Sequence, residues 1–280
     1  ACAFGHYQIQ GIEAEEFPSL PELASVEPLT LTTTTLLEGL QGALFAASTD
    51  ETKQALTGLH LSSQADYLEF AATDGHRLAV SIPSLVLNAQ EMAVTIPAKA
   101  LRELERMLSR SSTAFGDSTV ALRFDPTQIV FECASAQGLE RLSCRLLDGQ
   151  YPNYHQLIPQ QFARQITMER QLLLGALDRI AVLAAGKNNI VTLKLDNASQ
   201  QLALSAEAPQ FGSGKESVPA QISGENMEIA FNVRYLIDGL KAMDSSEVQL
   251  QLNSQTAPAV VSPLGGRKMT YLIMPIQIRN

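Results

Sequence analysis

The sequence predicts an α+β fold made of repeated domains, each with antiparallel sheets packed on two helices. Three observations carry this. The chain has 280 residues, more than one hydrophobic core usually serves. It agrees with itself at an offset of about 135 residues. Within each copy, two helical stretches are interleaved with segments in which apolar residues alternate with small or polar ones, the period of a sheet with one buried face.

Residues 1–26 are expected to be the closing strand and linker of a further copy, most of which is absent from the chain. Ile12 stands before Phe17-Pro18-Ser19-Leu20 as Leu146 stands before Tyr151-Pro152-Asn153-Tyr154, so an apolar strand end followed by an aromatic-proline step occurs twice. The first full copy is placed at 27–160. It opens on a helix from Leu36 to Ser48, containing Leu36-Leu37-Glu38-Gly39. Alternating runs follow, with Leu68, Phe70 and Ala72 and then Leu78, Val80 and Ile82, and Val94-Thr95-Ile96 leads into a second helix marked by Leu101, Leu104 and Leu108. The second full copy is placed at 161–280. There Leu172-Leu173-Leu174-Gly175 repeats the first helix and Ile229-Ala230-Phe231 the strand, while Leu236, Leu240 and Met243 repeat the second helix. Val248, Leu250 and Leu252 then alternate with glutamines, and the terminal YLIMPIQI reads as a final strand or part of an apolar groove.

Apolar content of 45% with 18% charged residues is ordinary for a soluble protein. Cys2, Cys133 and Cys144 form no CxxC or Cys/His cluster, which excludes a disulfide framework or zinc site; no cofactor is expected. Cys133 and Cys144 occupy apolar strand positions and read as buried, inert thiols. The apolar stretch 172–185 is broken by Asp178 and Arg179, and no signal sequence opens the chain. A cytoplasmic protein with no membrane association is expected. The net charge of −9 excludes a uniformly basic nucleic-acid coat, though it permits a local basic face.

Such a face is present. Lys99, Arg102, Arg106 and Arg110 recur at helical spacing opposite Leu101, Leu104 and Leu108. The second copy offers Arg234 and Lys241 on its second helix and Arg170 on its first, whereas 36–48 has no basic residue. The run Thr73-Asp74-Gly75-His76-Arg77 crowds reactive side chains together. Neighbours in an extended run point to opposite sides, so a hairpin turn with a polar tip is favoured over a catalytic group. Gly214-Lys215 lacks the Ser or Thr of a phosphate-binding loop, Glu216 standing there instead.

Four stretches, FAATDGHRLAV, CRLLDGQYPNYHQLIP, IAFNVRYLIDGL and YLIMPIQI, resemble in this order the bacterial sliding clamps, the beta subunits of DNA polymerase III. The resemblance covers essentially the whole chain. It implies a non-catalytic processivity factor: three domains per full-length chain, and a homodimeric, six-domain ring around duplex DNA. This chain corresponds to the end of the first domain and the complete second and third. The resemblance further implies a pocket for a short peptide rich in Gln, Leu and Phe, carried by the polymerase III catalytic subunit, the clamp loader and repair proteins. The residues matching that pocket are Leu56, Thr73, Gly75, His76, Arg77, Leu78, Pro152, Leu157, Asn232, Tyr235, Met274, Pro275 and Ile276. Sequence-independent contacts to the phosphates of double-stranded DNA fall to Lys99, Arg102, Arg106, Arg110, Arg170, Arg234 and Lys241.

Two departures from the family pattern stand out. His155-Gln156 replaces a pair of arginines, and Asn188 replaces an aromatic residue, so a less basic and less apolar rim is expected. Family chains meet near positions matching Val182 and Leu183, and this chain keeps one side of that contact, so it is not expected to close the usual ring by itself. Two readings compete: a hydrolase using Asp74 and His76 with a distant nucleophile, and a truncated clamp-like interaction module that does not encircle DNA.

Overall fold

The computed structural model describes residues 4–17, 23, 26–64, 67–84, 92–115, 118–135, 138–185, 188–208 and 212–277. Cys2, Pro18, Ser19, Leu20 and Ile278 therefore lie outside the described residues. The first copy runs β1 (Leu29–Thr32), α1 (Thr33–Ala43), β2 (Gly58–Gln64), β3 (Tyr67–Thr73), β4 (Arg77–Ser81), β5 (Met92–Pro97), α2 (Ala98–Phe115), β6 (Thr119–Phe124), β7 (Gln128–Ser135) and β8 (Gly138–Arg145). The second runs β9 (Arg164–Glu169), α3 (Arg170–Ala184), β10 (Ile190–Asp196), β11 (Gln201–Ala208), β12 (Gly212–Pro219), β13 (Gln221–Ser223), β14 (Glu228–Asn232), α4 (Val233–Ala242), β15 (Glu247–Leu252), β16 (Ala259–Leu264) and β17 (Met269–Ile273).

Strand order reproduces the sequence repeat. In the first copy β1-β6-β7-β8 and β4-β3-β2-β5 are neighbours, and in the second β9-β15-β16-β17 and β12-β11-β10-β14 are. Among the described residues, the short β13 has no counterpart. The copies are joined by β17 pairing antiparallel with β4, Leu272 opposite Leu78 and Ile273 opposite Arg77. A nine-stranded sheet, β13-β9-β15-β16-β17-β4-β3-β2-β5, therefore crosses the boundary between them.

Each helix begins or packs for a readable reason. The Thr32 side chain accepts from the Thr35 amide at 3.1 Å and caps α1, whose Leu36, Leu40 and Ala43 face the core. The helix ends five residues before Ser48, giving way to a 3-10 turn at Leu44–Ala46. The Phe45 carbonyl there accepts from Arg77 instead of from a helical amide. On α2, Leu101, Leu104 and Leu108 are buried while Lys99, Arg102, Arg106 and Arg110 are exposed, as the spacing requires.

Two glycines record how closely helices approach the sheet. A Cβ on Gly39 would lie 2.3 Å from the Phe70 ring, and one on Gly239 would lie 2.2 Å from the Tyr271 ring. Gly39→Ala and Gly239→Ala are each expected to cost about 1–3 kcal/mol through overpacking. Gly175, in α3, would meet only the end of Arg179 at 3.4 Å, so Gly175→Ala is expected to stabilise by roughly 0.5–1 kcal/mol. Urea unfolding of the three variants checks the opposite signs.

The expectation of one buried sheet face fails at β3 and β4. Every residue from Leu68 to Thr73 and from Leu78 to Ser81 is buried, Glu69 included. The helices cover one face, where Leu68, Phe70, Ala72 and Ala79 join the main core. The segment 151–158 covers the other, forming a second cluster of Ala71, Leu78, Val80, Tyr151, Tyr154 and Leu272, with Leu56 and Ile158 beside it.

Candidate functional site

The β3–β4 hairpin is built by its own polar residues. Asp74 Oδ1 accepts from the amides of His76 (2.8 Å) and Arg77 (3.1 Å). Thr73 Oγ1 accepts from the Gly75 amide at 3.1 Å and donates to the Arg77 carbonyl at 2.6 Å. Gly75 adopts φ +93°, which a side chain would resist. With Asp74 committed to the turn and to Arg77, the exposed His76 has no orienting carboxylate, and a triad cannot be assembled from this run.

Arg77 is held at the junction of the two copies. Side chains alternate along β4, so Arg77 and Leu78 project to opposite faces. Its guanidinium donates to Asp74 Oδ2 (3.0 Å), to Asp238 Oδ2 on α4 (2.7 Å) and to the Phe45 carbonyl (3.1 Å), and it lies 4.4 Å from the Tyr235 ring centroid. Burial opposes its charge. Tyr271, Asp238 and Asp74 beside it outweigh burial, so the guanidinium stays charged. Arg77 thus ties the first copy to the second.

Leu78 faces the second cluster with Leu56. The segment 151–158 is fastened over it at three points. Tyr151 Oη accepts from the Thr73 amide at 3.1 Å, Tyr154 Oη donates to the Glu69 carboxylate, and His155 Nε2 lies 3.2 Å from the same oxygen. Tyr151 also stacks on His60 at 4.8 Å. Burial pushes both phenols up and the His60 imidazole down, so all three are neutral near pH 7. Pro152 is exposed, and Leu157, on a 3-10 turn, is 52% exposed.

Past β17, the Met274 amide donates to the His76 carbonyl at 2.9 Å, and the Ile276 amide donates to Ala230 of β14 at 2.8 Å. Met274-Pro275-Ile276 therefore straps the junction, attached to one copy at each end. Met274 remains 39% exposed. Asn232 and Tyr235 lie at the start of α4: Asn232 caps it through the Arg234 amide, and the Tyr235 carbonyl accepts from Tyr271 Oη at 2.9 Å. Sequence reasoning missed Glu69 and Asp238. Glu69 falls between Leu68 and Phe70 of an alternating run, where a charged side chain is expected to face solvent, and the signal that could have found it was the pair of tyrosines flanking Pro152.

On the helix side, a cleft of about 630 Å³ opens between α1, α2 and α4, lined by Arg102, Lys241 and Arg267 but also by Glu105, Asp238 and Asp244. Basic residues of both copies thus face one side. Their engagement differs. Arg106 pairs with Glu103 at 2.7 Å, Arg234 Nε donates to Asn189 at 3.0 Å, and Lys241 stands 3.8 Å from Asp178. Arg170 donates to the carbonyls of Ser245 and Leu240, terminating α4, which leaves it less of its fork for another ligand. A second cleft of about 600 Å³ lies between His60, Phe124, Leu146 and Tyr151. Neither cleft includes Leu157 or Met274, the exposed apolar pair of the junction.

Among the described residues, no group of three His, Cys, Asp or Glu could hold a metal, and no helix is long and apolar enough to cross a membrane. Burial raises the Cys133 thiol and pushes Cys144 up to about 11. Both are expected to resist iodoacetamide at pH 8 in the folded protein and to react once it is unfolded, a difference read by mass spectrometry.

Residues 30–153 match the model of the DNA polymerase III beta subunit central domain, and residues 155–277 match that of its C-terminal domain. The chain belongs to the beta sliding clamp family. Beta sliding clamps of Synechococcus elongatus and Synechocystis sp. are 54% and 50% identical to it, each over 99% of this chain and 72% of the relative. The sliding clamp of Bacillus subtilis superposes with a TM-score of 0.87 at 30% identity, over 96% of this chain and 69% of that one. A clamp from Pseudomonas aeruginosa, solved bound to griselimycin, gives 0.84 at 26%, over 95% of this chain and 70% of that one. The protein is a clamp subunit of the replicative polymerase and not an enzyme, which removes the hydrolase reading of Asp74 and His76.

Proposed function

We propose that this clamp encircles duplex DNA without reading its sequence and tethers the polymerase III catalytic subunit, the clamp loader and repair proteins through a peptide pocket at the copy junction, acting in the cytoplasm. The observation that carries the pocket is a pair of large exposed apolar side chains, Leu157 and Met274, each adjoining in the chain a segment that packs in the second cluster: Leu157 precedes Ile158, and Met274 follows Leu272 by two residues. Seating a Leu and a Phe there contributes on the order of 3–6 kcal/mol before association costs. Exchangeable binding suits partners that take turns. His76 and the strap 274–276 offer backbone and imidazole groups to orient a peptide, while Gly75 and Thr73 shape the hairpin.

The ring follows from the repeat. β8 and β12 are the counterparts of β17 and β4, and both are edge strands of their sheets. The β4–β17 pairing supplies a template by which β8 meets a preceding domain and β12 a following one. Val182, 77% exposed, and Leu183, packed on Gly214, flank β12. Helices α2 and α4 then line the hole, with Lys99, Arg102, Arg106, Arg110, Arg170, Arg234 and Lys241 as the residues that meet the phosphates.

Calorimetry with a synthetic Gln-Leu-Phe peptide tests the pocket. Met274→Ala is expected to weaken binding about tenfold, and unchanged affinity contradicts the assignment. Encirclement predicts retention on closed circular DNA and release on linearisation. Equal release from circles and linear DNA contradicts it.

A further inference from the structure

The least expected group on the outer sheet face is the Glu69 carboxylate. It stands on β3 in the alternation that places Ala71 and Thr73 beside it, and the residue is 3% exposed. A buried carboxylate needs donors or a cation. Here the donors come from a single segment: Tyr154 Oη, itself on a residue 4% exposed, and His155 Nε2 at 3.2 Å. The imidazole is half in water.

The same segment supplies Pro152 and Leu157, one wall of the apolar mouth. Besides the packing of Tyr151, Tyr154 and Ile158 in the second cluster and a Ser62 contact to Tyr154, its remaining hydrogen bonds include that of the Leu157 amide to the Tyr154 carbonyl at 3.0 Å and that of the Thr73 amide to Tyr151 Oη. Without the Glu69 contacts, the stretch that carries Leu157 is hydrogen-bonded to β3 through Tyr151. We propose that Glu69 is the positioning residue of the peptide site, its carboxylate holding Tyr154 and His155 so that Leu157 stands at a fixed distance from Leu78 and Met274. The inference rests on the peptide-binding reading above and adds the device that presets one wall. Pre-set walls raise affinity by removing an ordering cost from binding. It also assigns His155 a role: where an arginine would reach outward, this imidazole turns down onto Glu69 and leaves Gln156 to meet the partner.

Two measurements on Glu69→Ala, Glu69→Gln and wild type test this. In hydrogen–deuterium exchange of the free protein, Glu69→Ala is expected to accelerate exchange at Leu157 and Ile158 while leaving β15 and β16 unchanged. For a Gln-Leu-Phe peptide, Glu69→Ala is expected to weaken binding about tenfold, and Glu69→Gln, which keeps an acceptor oxygen for Tyr154, to stay within about threefold of wild type. Unaltered exchange in Glu69→Ala overturns the latch. Faster exchange with unchanged affinity overturns the positioning role. Should wild type itself fail to bind, the peptide reading falls, and the positioning role with it, while the exchange result still decides whether the latch exists. Glu69→Gln keeps the test open if the alanine variant folds poorly.

Discussion

Arg77→Ala is expected to lower the unfolding free energy by about 3 kcal/mol, among the largest single effects in the molecule. The side chain is 11% exposed and serves three acceptors from different elements: Asp74 in its own hairpin, Asp238 on α4 and the Phe45 carbonyl after α1. Removing it leaves Asp74, 15% exposed, without a counter-charge and orphans a carbonyl at the junction. Asp238 is 45% exposed and can regain water, which holds the cost to the lower end of what a fully buried pair would lose. For the same reason Asp238→Ala is expected to cost only about 1 kcal/mol. Urea titrations of the two variants check the ordering. Equal losses would mean that the pair acts as a surface ion pair and that the junction is held by something else.

Tyr271→Ala is expected to cost about 4 kcal/mol, a cavity effect rather than an electrostatic one. Tyr271 is 1% exposed on β17, the strand that joins the copies. Its ring fills the space that Gly239 leaves on α4 and meets Phe45 of the first copy at 5.3 Å. Tyr271→Phe keeps the ring and loses the bond to the Tyr235 carbonyl and the contact with Arg77, so about 1 kcal/mol is expected. Calorimetric unfolding separates the two. A phenylalanine variant as unstable as the alanine variant would show that the hydroxyl, and not the packing, secures β17 over α4.

Both residues sit where sequence reasoning was weakest. Local period was readable: Leu68, Phe70 and Ala72 do face the helices, and Lys99, Arg102 and Arg106 do lie opposite Leu101, Leu104 and Leu108. Alternation alone also separates Arg77 from Leu78, a consequence visible in the sequence but masked by the resemblance that grouped them. The pairing of β4 with β17 was not legible, because strands so far apart in the chain carry no local mark of who their neighbour is. Glu69 was hidden for a related reason: a charged residue in an alternating run reads as solvent-facing until a distant segment covers it. That Arg170 also holds the Leu240 carbonyl of α4 and the Ser245 carbonyl beyond it was not legible either.

The central claim is that the junction itself is the partner-binding site. It is tested most directly by photo-cross-linking a Gln-Leu-Phe peptide, with a photoreactive group replacing the Phe ring, to the folded protein and mapping the adduct by mass spectrometry. The account predicts labelling at Leu157 and Met274 and in 76–78, abolished by an excess of unmodified peptide. Competed labelling confined to the cleft beside His60 and Phe124, or to the helix side around Arg102 and Lys241, would contradict it.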